Sequence, residues 1–353
     1  MDIQYHTYTA ADVRAWIYSG VKNGLSEQVI SKIRANAILH NPCLSDDMVI
    51  VVTAADGDKL VGYTAMFPND LVRPRVCLSC PTTLYADAGY AGEFIGYNVT
   101  KILHDTANGR MVIGLDMAKE AALIDKLLGM KVEDIPVNRY IYSRVIEVNK
   151  LHDLGSLILE PFRRYIQKRN ICAFKKSISA MTQVEYSDFI DNEAYQFIVS
   201  HSQSDMYLQS QEMLNWRMRY PFTVNAPLYE RKVRQNIFHS HVSENRQKLI
   251  AKVYEKGVLV GLYSLVKKGS DVYVALLYTE DESAKVTYDM LLLQVLHHQP
   301  LRLFSLYKSL NRYVDSLGIF LKKFVDRYDY THPSNLQYSA DMQVQGLDGD
   351  MLA

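Results

Sequence analysis

Two short phrases occur twice in this chain, in the same order, and they indicate that one domain was duplicated. The first phrase is Leu60-Val61-Gly62-Tyr63, which returns as Leu259-Val260-Gly261-Leu262-Tyr263. The second is Leu128-Gly129-Met130 followed by Val137-Asn138-Arg139-Tyr140, which returns as Leu317-Gly318-Ile319 followed by Val325-Asp326-Arg327-Tyr328. Either match alone could arise by chance, but their common order favours a tandem architecture.

The length of the chain agrees with two compact domains, since 353 residues exceed one ordinary core. We predict a first domain over residues 1–150, a connecting region over 151–180, a second domain over 181–331 and a C-terminal tail over 332–353. Helices and strands alternate irregularly in both halves, which indicates an α+β fold.

Composition excludes some classes of partner. Lys plus Arg and Asp plus Glu both total 39, so the chain lacks the basic surplus that neutralises phosphates, and we predict no nucleic-acid partner. No stretch of 18 apolar residues and no N-terminal signal pattern occurs. We therefore expect a cytoplasmic protein without membrane association.

The cysteines give no metal site. Cys77-Leu78-Ser79-Cys80 is the one closely spaced pair among four cysteines. It falls in a predicted strand, where residues three apart point to opposite faces, so two packed cysteines are the better interpretation.

Periodicity and turn residues predict the elements. In the first half we expect strands at 3–8, 48–54, 59–67, 75–85, 111–115 and 137–148, and helices after Thr9 and at 26–39, 93–106 and 118–128. In the second half we expect helices at 181–199, 286–298 and 310–318, and strands at 249–254, 258–266, 272–278, 301–306 and 322–330.

The halves differ at one place that matters for function. The first half carries a glycine-rich segment between a strand and a helix, Gly89-Tyr90-Ala91-Gly92-Glu93-Phe94-Ile95-Gly96. A helix start offers unpaired N–H groups and partial positive charge, so glycines there let a pyrophosphate approach the backbone. The alternative is structural, since such glycines also supply positive φ or close packing. The second half has Glu280-Asp281-Glu282 and no glycine at this place, which predicts a scaffold.

These features resemble the GCN5-related N-acetyltransferase (GNAT) superfamily. The resemblance rests on the Leu60-Val61-Gly62 hairpin, the strand ending Thr83-Leu84-Tyr85, the glycine turn into a helix, and Leu127-Leu128-Gly129-Met130, which looks like the family's "K-L-G-F". It implies two tandem GNAT-like domains, each a mixed, mostly antiparallel twisted sheet flanked by helices. It also implies that the sheet splays after its fourth strand, where the pantetheine arm of acetyl-CoA would pair.

The resemblance implies a set of acetyl-CoA-binding residues at the end of this strand and the start of the helix: Leu84, Tyr85, Ala91, Gly92, Phe94, Ile95 and Gly96. The family's loop anchors fall on Ala91, Phe94 and Gly96, and only Gly96 agrees with the family pattern. Glu93 places a carboxylate where it would repel pyrophosphate. The family's catalytic tyrosine corresponds to Asp125, so that residue's role does not carry over.

Other residues can serve acid–base chemistry, because acetyl transfer to an amine needs a base. Asp87, just past the splay, is the first candidate base, directly or through water. Tyr85 is a candidate for orienting the thioester, and Glu93 is a second candidate base. Each is also compatible with an exposed or capping role.

Three hypotheses for function follow. The first is an N-acetyltransferase that uses acetyl-CoA and a small-molecule amine such as an amino sugar or amino-acid derivative. The second is a non-catalytic GNAT-like binding or interaction module. The third is an aminoacyl transferase that uses aminoacyl-tRNA, against which the balanced charge counts.

Overall fold

The computed structural model describes residues 2–21, 24–73, 76–107, 109–117, 119–141, 165, 168–169, 171–176, 178, 180–205, 208–220, 223–225, 241–243, 247–269, 271–298, 302–318, 320 and 322–333. Most of the predicted connecting region 151–180, the tail beyond 333 and the side chains of Cys77 and Cys80 lie outside this description. None of the helices in the described ranges is long and apolar enough to cross a membrane.

The first half has the predicted order of elements, except that the strand expected at 111–115 is two short strands and the strand expected at 137–148 begins at 131. Its strands are β1 (Ile3–Thr9), β2 (Val49–Asp56), β3 (Lys59–Arg73), β4 (Val76–Ala86), β5 (Met111–Val112), β6 (Gly114–Met117) and β7 (Lys131–Ile141). Its helices are α1 (Ala10–Ser19), α2 (Lys32–Leu39), α3 (Ile95–Asp105) and α4 (Lys119–Leu127), with a 3-10 turn, Ala88–Glu93, before α3. A capping box starts α1, since the side chains of Thr9 and Asp12 each accept the other's backbone N–H.

The second half has a similar order from residue 182 onward, with three additional short strands at 208–209, 223–225 and 241–243. Its strands are β8 (Thr182–Ser187), β9 (Leu208–Gln209), β10 (Thr223–Asn225), β11 (His241–Ser243), β12 (Gln247–Glu255), β13 (Val258–Lys268), β14 (Asp271–Thr279), β15 (Arg302–Ser305) and β16 (Lys322–His332). Its helices are α5 (Asn192–His201), α6 (Gln211–Arg219), α7 (Ala284–His297) and α8 (Lys308–Leu317). The predicted α+β class is confirmed.

Two predicted helix starts are wrong. The helix expected at 181–199 is a strand, β8, followed by α5, which begins after Asp191 because that carboxylate accepts the N–H of Ala194. The helix expected to start at Ser26 begins after Ser31, whose side chain accepts the N–H of Arg34. In both cases the side-chain cap, rather than the apolar spacing, sets the boundary.

The first sheet belongs to the first half. Its order is β1-β2-β3-β4-β5, and the short β9 from the second half pairs with the end of β3. All its pairs are antiparallel except β4 with β5.

The second sheet is shared by the two halves. Its eight strands have the order β6-β16-β7-β15-β14-β13-β12-β8. β16 of the second half thus lies between β6 and β7 of the first half, and β7 lies between β16 and β15 of the second. The last strand of each half therefore pairs with strands of the other half: β7 lies beside β15, and β16 lies between β6 and β7.

The repeated phrases explain this exchange. β7 and β16 pair antiparallel, with Asn138 opposite Val325 and Val137 opposite Asp326, so the duplicated residues face each other. Arg139 forms an ion pair with Asp326 at 2.9 Å across the pairing. A local two-fold relation therefore joins the halves.

The glycine of the first repeated phrase permits close helix packing in both halves. A Cβ atom on Gly62 would lie 2.2 Å from Cγ2 of Ile95 in α3, and one on Gly261 would lie 1.9 Å from Oγ1 of Thr287 in α7. Any larger residue would push the helix off the sheet.

Helix α6 of the second half fills part of the first core. Met213 and Trp216 pack among the buried residues of β1–β3, α1 and α2, and the indole N–H of Trp216 donates to the Ala37 carbonyl at 2.7 Å. Trp216 is 4% exposed and is therefore a core residue.

Candidate active site

The candidate site of the first half lies where β4 and β5 separate. The two strands pair in parallel only at Leu78 with Met111 and Ser79 with Val112. The chain then continues from β5 into β6, which pairs with β16. Beyond Ser79, no strand in the described ranges pairs with this edge of β4. The predicted splay is therefore present, and its strand edge can pair with an extended ligand.

The glycine-rich segment links this edge to α3. It forms the 3-10 turn and then passes through Phe94, whose φ of 51° lies in the left-handed region and whose side chain is 70% exposed. The N–H of Asn98 bonds to the Phe94 carbonyl at 2.9 Å. An α-helix that starts here leaves the amides of its first turn without carbonyl partners inside the helix.

The two glycines of the predicted loop have different surroundings. Gly92 is exposed, and a Cβ atom added to it would meet nothing within 4 Å. Gly96 is buried, and its Cβ would lie 3.1 Å from Cδ1 of Ile124 and 3.6 Å from Cβ of Ala86. Gly92 leaves space for a ligand, whereas Gly96 lets α3 pack closely on α4 and β4.

The other predicted cofactor residues divide in the same way. Ala91 and Glu93 are exposed like Phe94, whereas Ile95 packs in the core below α3. Ile95 and Gly96 can therefore contact a ligand only through their backbone atoms.

Leu84 and Tyr85 lie on β4 beside the splay. Leu84 packs against the cluster that contains α3, and Tyr85 packs against the cluster of α1 and α2. Tyr85 stacks on its cross-strand neighbour Tyr63 with ring centroids 5.2 Å apart. The half-buried phenol of Tyr85 is thus held on the α1/α2 side of the sheet.

Asp87 is engaged by three contacts directly after β4. Its backbone N–H donates to Val61 at 2.8 Å, its Oδ1 accepts the N–H of Gly89 at 2.8 Å, and its Oδ2 lies 2.8 Å from Nζ of Lys59. The Lys59 ammonium, and then the Gly89 N–H, hold the pKa of Asp87 below its ordinary value. These contacts favour the anionic form of the carboxylate.

Lys59 also takes part in a set of contacts with Tyr90 and Asp56 that the sequence did not predict. Its Nζ lies 4.7 Å from the centre of the Tyr90 ring, and the Tyr90 hydroxyl donates to Oδ2 of Asp56 at 3.0 Å. The β2–β3 turn is thereby attached to the glycine-rich segment. Nothing in the spacing of these residues along the chain indicated the contact, which depends on the sheet register.

The corresponding splay of the second half is filled. β14 and β15 pair in parallel only from Asp271 to Tyr273. Beyond them Tyr307, 1% exposed, donates its hydroxyl to the carbonyl of Ala275 at 2.9 Å. Glu280 occupies the position of Asp87, since its N–H bonds to Val260. This half therefore uses its own phenol where the first half presents a strand edge.

No protein-family model matches the chain, and the comparison with curated proteins also finds no match. Solved structures do match. A GCN5-related N-acetyltransferase from Anabaena variabilis is 9% identical, with 94% of this chain and 72% of that chain covered and a TM-score of 0.51. An Enterococcus faecalis protein described as a probable N-acyltransferase is 9% identical, with 95% and 73% covered and a TM-score of 0.50.

A tandem GNAT protein from the clavulanic acid biosynthesis pathway is 10% identical, with 96% of this chain and 100% of that chain covered and a TM-score of 0.48. Identities this low bear on fold alone. Together with the two splayed strand pairs, the first two matches confirm the resemblance inferred from the sequence: the chain has the fold of the GCN5-related N-acetyltransferases, built twice.

Proposed function

We propose that the protein is an N-acyltransferase that takes its acyl group from acetyl-CoA and uses the first half as its site. One observation carries the proposal: the edge of β4 beyond Ser79, which pairs with no strand in the described ranges, is followed by the exposed residues 91–94 directly before α3. An extended amide-containing arm can pair with the former, and a pyrophosphate can bind at the latter.

The residues present fit such a cofactor in part. The backbone at Leu84 and Tyr85 would hold the arm, and the backbone from Ala91 to Gly96 would hold the pyrophosphate. The space beside Gly92 supports this assignment. The exposed carboxylate of Glu93 can turn to solvent, away from the phosphates.

Acetyl-CoA, when bound, supplies an acyl group activated as a thioester. The chain must then orient an amine and accept its proton, while the C–S bond breaks and CoA leaves as a thiolate that takes up a proton. We propose Asp87 as an anion that attracts the protonated amine and receives a proton through water, with Glu93 as a second base. The Tyr85 phenol, fixed by its stack on Tyr63, would orient the thioester.

For the acceptor we propose a small molecule with a primary amine, such as an amino sugar or amino-acid derivative. Asp56, Asp58, Asp87 and Glu93 lie on the β2–β3 turn and the adjoining segment, opposed by Lys59. This surplus of negative charge favours a cationic acceptor over an anionic one.

We propose one site per chain. In the second half the Ala275 carbonyl already accepts a hydrogen bond from Tyr307. The helix start there follows Glu280, Asp281 and Glu282, whose charges oppose a pyrophosphate.

The second candidate is a binding module without catalysis. Two observations favour it: Gly96 serves packing against Ile124, and Asp87 is held by Lys59. A thermal-shift titration with acetyl-CoA separates the two candidates. The acyltransferase proposal expects a higher melting temperature for the parent chain and no shift for Gly92→Asp; no shift in either protein supports the module.

A further inference from the structure

Strand β16 comes from the second half and lies between two strands of the first half, β6 and β7. Thr331 pairs with Gly114 at the start of β6 on one side and with Val132 of β7 on the other. Tyr330, Thr331 and His332 are fully buried, and Tyr330 belongs to the core cluster of β1–β3 with α1 and α2. The end of β16 is therefore part of the interior of the first half.

Thr331 makes a polar contact with α4 in this interior. Its hydroxyl donates to Oδ2 of Asp125 at 2.5 Å, and Asp125 is 0% exposed. Nε2 of His104, in the last turn of α3, lies 3.7 Å from the other carboxylate oxygen. Neither Nε2 of His104 nor Oδ1 of Asp125 has a hydrogen-bond partner within the described ranges. Thr331 thus supplies the carboxylate with its hydrogen bond.

The neighbouring charged side chains do not compensate for the burial of the Asp125 carboxylate. Burial raises the pKa of Asp125 to about 6 and lowers the pKa of His104 to about 4. Asp105 on α3 is directed to Lys101 at 2.5 Å, and Glu133 on β7 lies 3.9 Å from Nε2 of His332 on β16. A buried carboxyl group in such a place depends on its remaining hydrogen bond.

The hydrogen bond between Thr331 and Asp125 can affect the start of α3 through Ile124. Ile124 precedes Asp125 on α4, and its Cδ1 is the atom that a Cβ on Gly96 would meet at 3.1 Å. Gly96 lies in the first turn of α3. Because packed helices transmit small displacements, a shift of α4 by a few tenths of an ångström would be felt at this turn.

We infer that Thr331 is a positioning residue for the first-half site. By holding Asp125, it fixes α4 and with it the first turn of α3, so the second half sets the geometry of a site that lies in the first. The inference rests on the proposed function, because that turn is the place where we propose that the pyrophosphate binds.

The test uses the full chain and three variants. Thr331→Val removes the hydroxyl at nearly constant volume, and Thr331→Ser retains it. Arg327→Gln is the matched control, since it removes an exposed contact between the same strand and Asp134 of the first half, at 2.9 Å. The readouts are acetyl-CoA affinity by calorimetry and amide hydrogen exchange of residues 95–105.

We expect Thr331→Val to bind acetyl-CoA at least about 10-fold more weakly and to exchange faster in the first turn of α3. Thr331→Ser and Arg327→Gln should behave like the parent. Unchanged affinity and exchange in Thr331→Val would overturn the inference, and so would an equal loss in Arg327→Gln.

Two other results are possible: Thr331→Val does not fold, or the parent does not bind acetyl-CoA. If Thr331→Val does not fold, Ile124→Ala tests the same path, and parent-like affinity and exchange in that variant reject it. If the parent itself does not bind acetyl-CoA, the proposed function fails. The exchange of residues 95–105 then still decides whether Thr331 positions α3.

Discussion

Asp125 and His104 predict an unusual dependence of stability on pH. Burial raises the pKa of Asp125 from 3.8 to about 6 and lowers the pKa of His104 from 6.5 to about 4. Between about pH 4 and about pH 6, the unfolded chain holds the proton on His104, whereas the folded chain holds it on Asp125. Folding therefore moves one proton between the two groups and takes up almost none.

The signs of the two contributions are opposite. The raised pKa of Asp125 gives stability that is full below pH 3.8 and is lost as the pH rises through about 6. The lowered pKa of His104 gives stability that is present above pH 6.5 and is lost as the pH falls through about 4. Since one pKa unit corresponds to about 1.4 kcal/mol, each group contributes about 3 kcal/mol in full, or about 2 to 3 kcal/mol between pH 4.5 and 7.5.

Single substitutions separate the two contributions. Asp125→Asn keeps an acceptor for the Thr331 hydroxyl and leaves only His104, so its free energy of unfolding should fall by about 2 to 3 kcal/mol as the pH is lowered from 7.5 to 4.5. His104→Gln leaves only Asp125 and should lose a similar amount as the pH is raised over the same range. In the parent the two contributions of this pair largely cancel.

Urea denaturation of the three proteins at several pH values measures these differences, each variant being compared with the parent at the same pH. The slopes of the two variants relative to the parent should have opposite signs. Equal slopes, or variants that follow the parent throughout, would refute the reasoning that burial sets both pKa values.

The remaining predictions concern the candidate site. Gly92→Asp should abolish acetyl-CoA binding with a melting temperature near that of the parent, whereas Gly96→Asp should lower the melting temperature because its side chain meets Ile124; equal melting temperatures would contradict the different surroundings of the two glycines. Lys59→Met should return the pKa of Asp87 toward its ordinary value, as measured by NMR titration of the carboxyl group, and an unchanged value would show that Lys59 is not the cause. Tyr307→Phe should cost about 1 to 2 kcal/mol in chemical denaturation, because the buried Ala275 carbonyl loses its donor, and should not create a second acetyl-CoA site. Glu93→Gln should leave acetyl-CoA affinity equal or higher, and a weaker complex in calorimetry would contradict a carboxylate turned away from the phosphates.

The local elements of the fold could be predicted because their signals are local. The turn Ala55-Asp56-Gly57-Asp58 between two strands predicted a hairpin, and the apolar stripe of Ile95, Val99 and Leu103 predicted α3. β8 was missed because Thr182–Ser187 is short, and the apolar residues that follow it fit a helical spacing as well.

The exchange of β7 and β16 could not be predicted in the same way. Alternation indicates which face of a strand is buried, but not which strand lies beside it. Since the two strands carry the same phrase, Val137-Asn138-Arg139-Tyr140 and Val325-Asp326-Arg327-Tyr328, each suits either half. Only the register, with Asn138 opposite Val325, shows that they are exchanged.

The elements that form the candidate site could be predicted, but their side-chain contacts could not. The end of β4, the glycine-rich segment and the start of α3 lie together because they are consecutive in the chain. The contact of Lys59 with Asp87, the closure of the second splay by Tyr307 and the contact of Thr331 with Asp125 join residues far apart in sequence. Such pairs carry no local signal, so they had to be read from the structure.

The central claim is that the first half alone forms an acetyl-CoA site. Isothermal titration of the full chain with acetyl-CoA tests it most directly, because the measurement gives both affinity and stoichiometry. We predict one site per chain in the parent and none in Gly92→Asp. Two sites per chain, no binding to the parent, or undiminished binding to a folded Gly92→Asp variant would contradict the account.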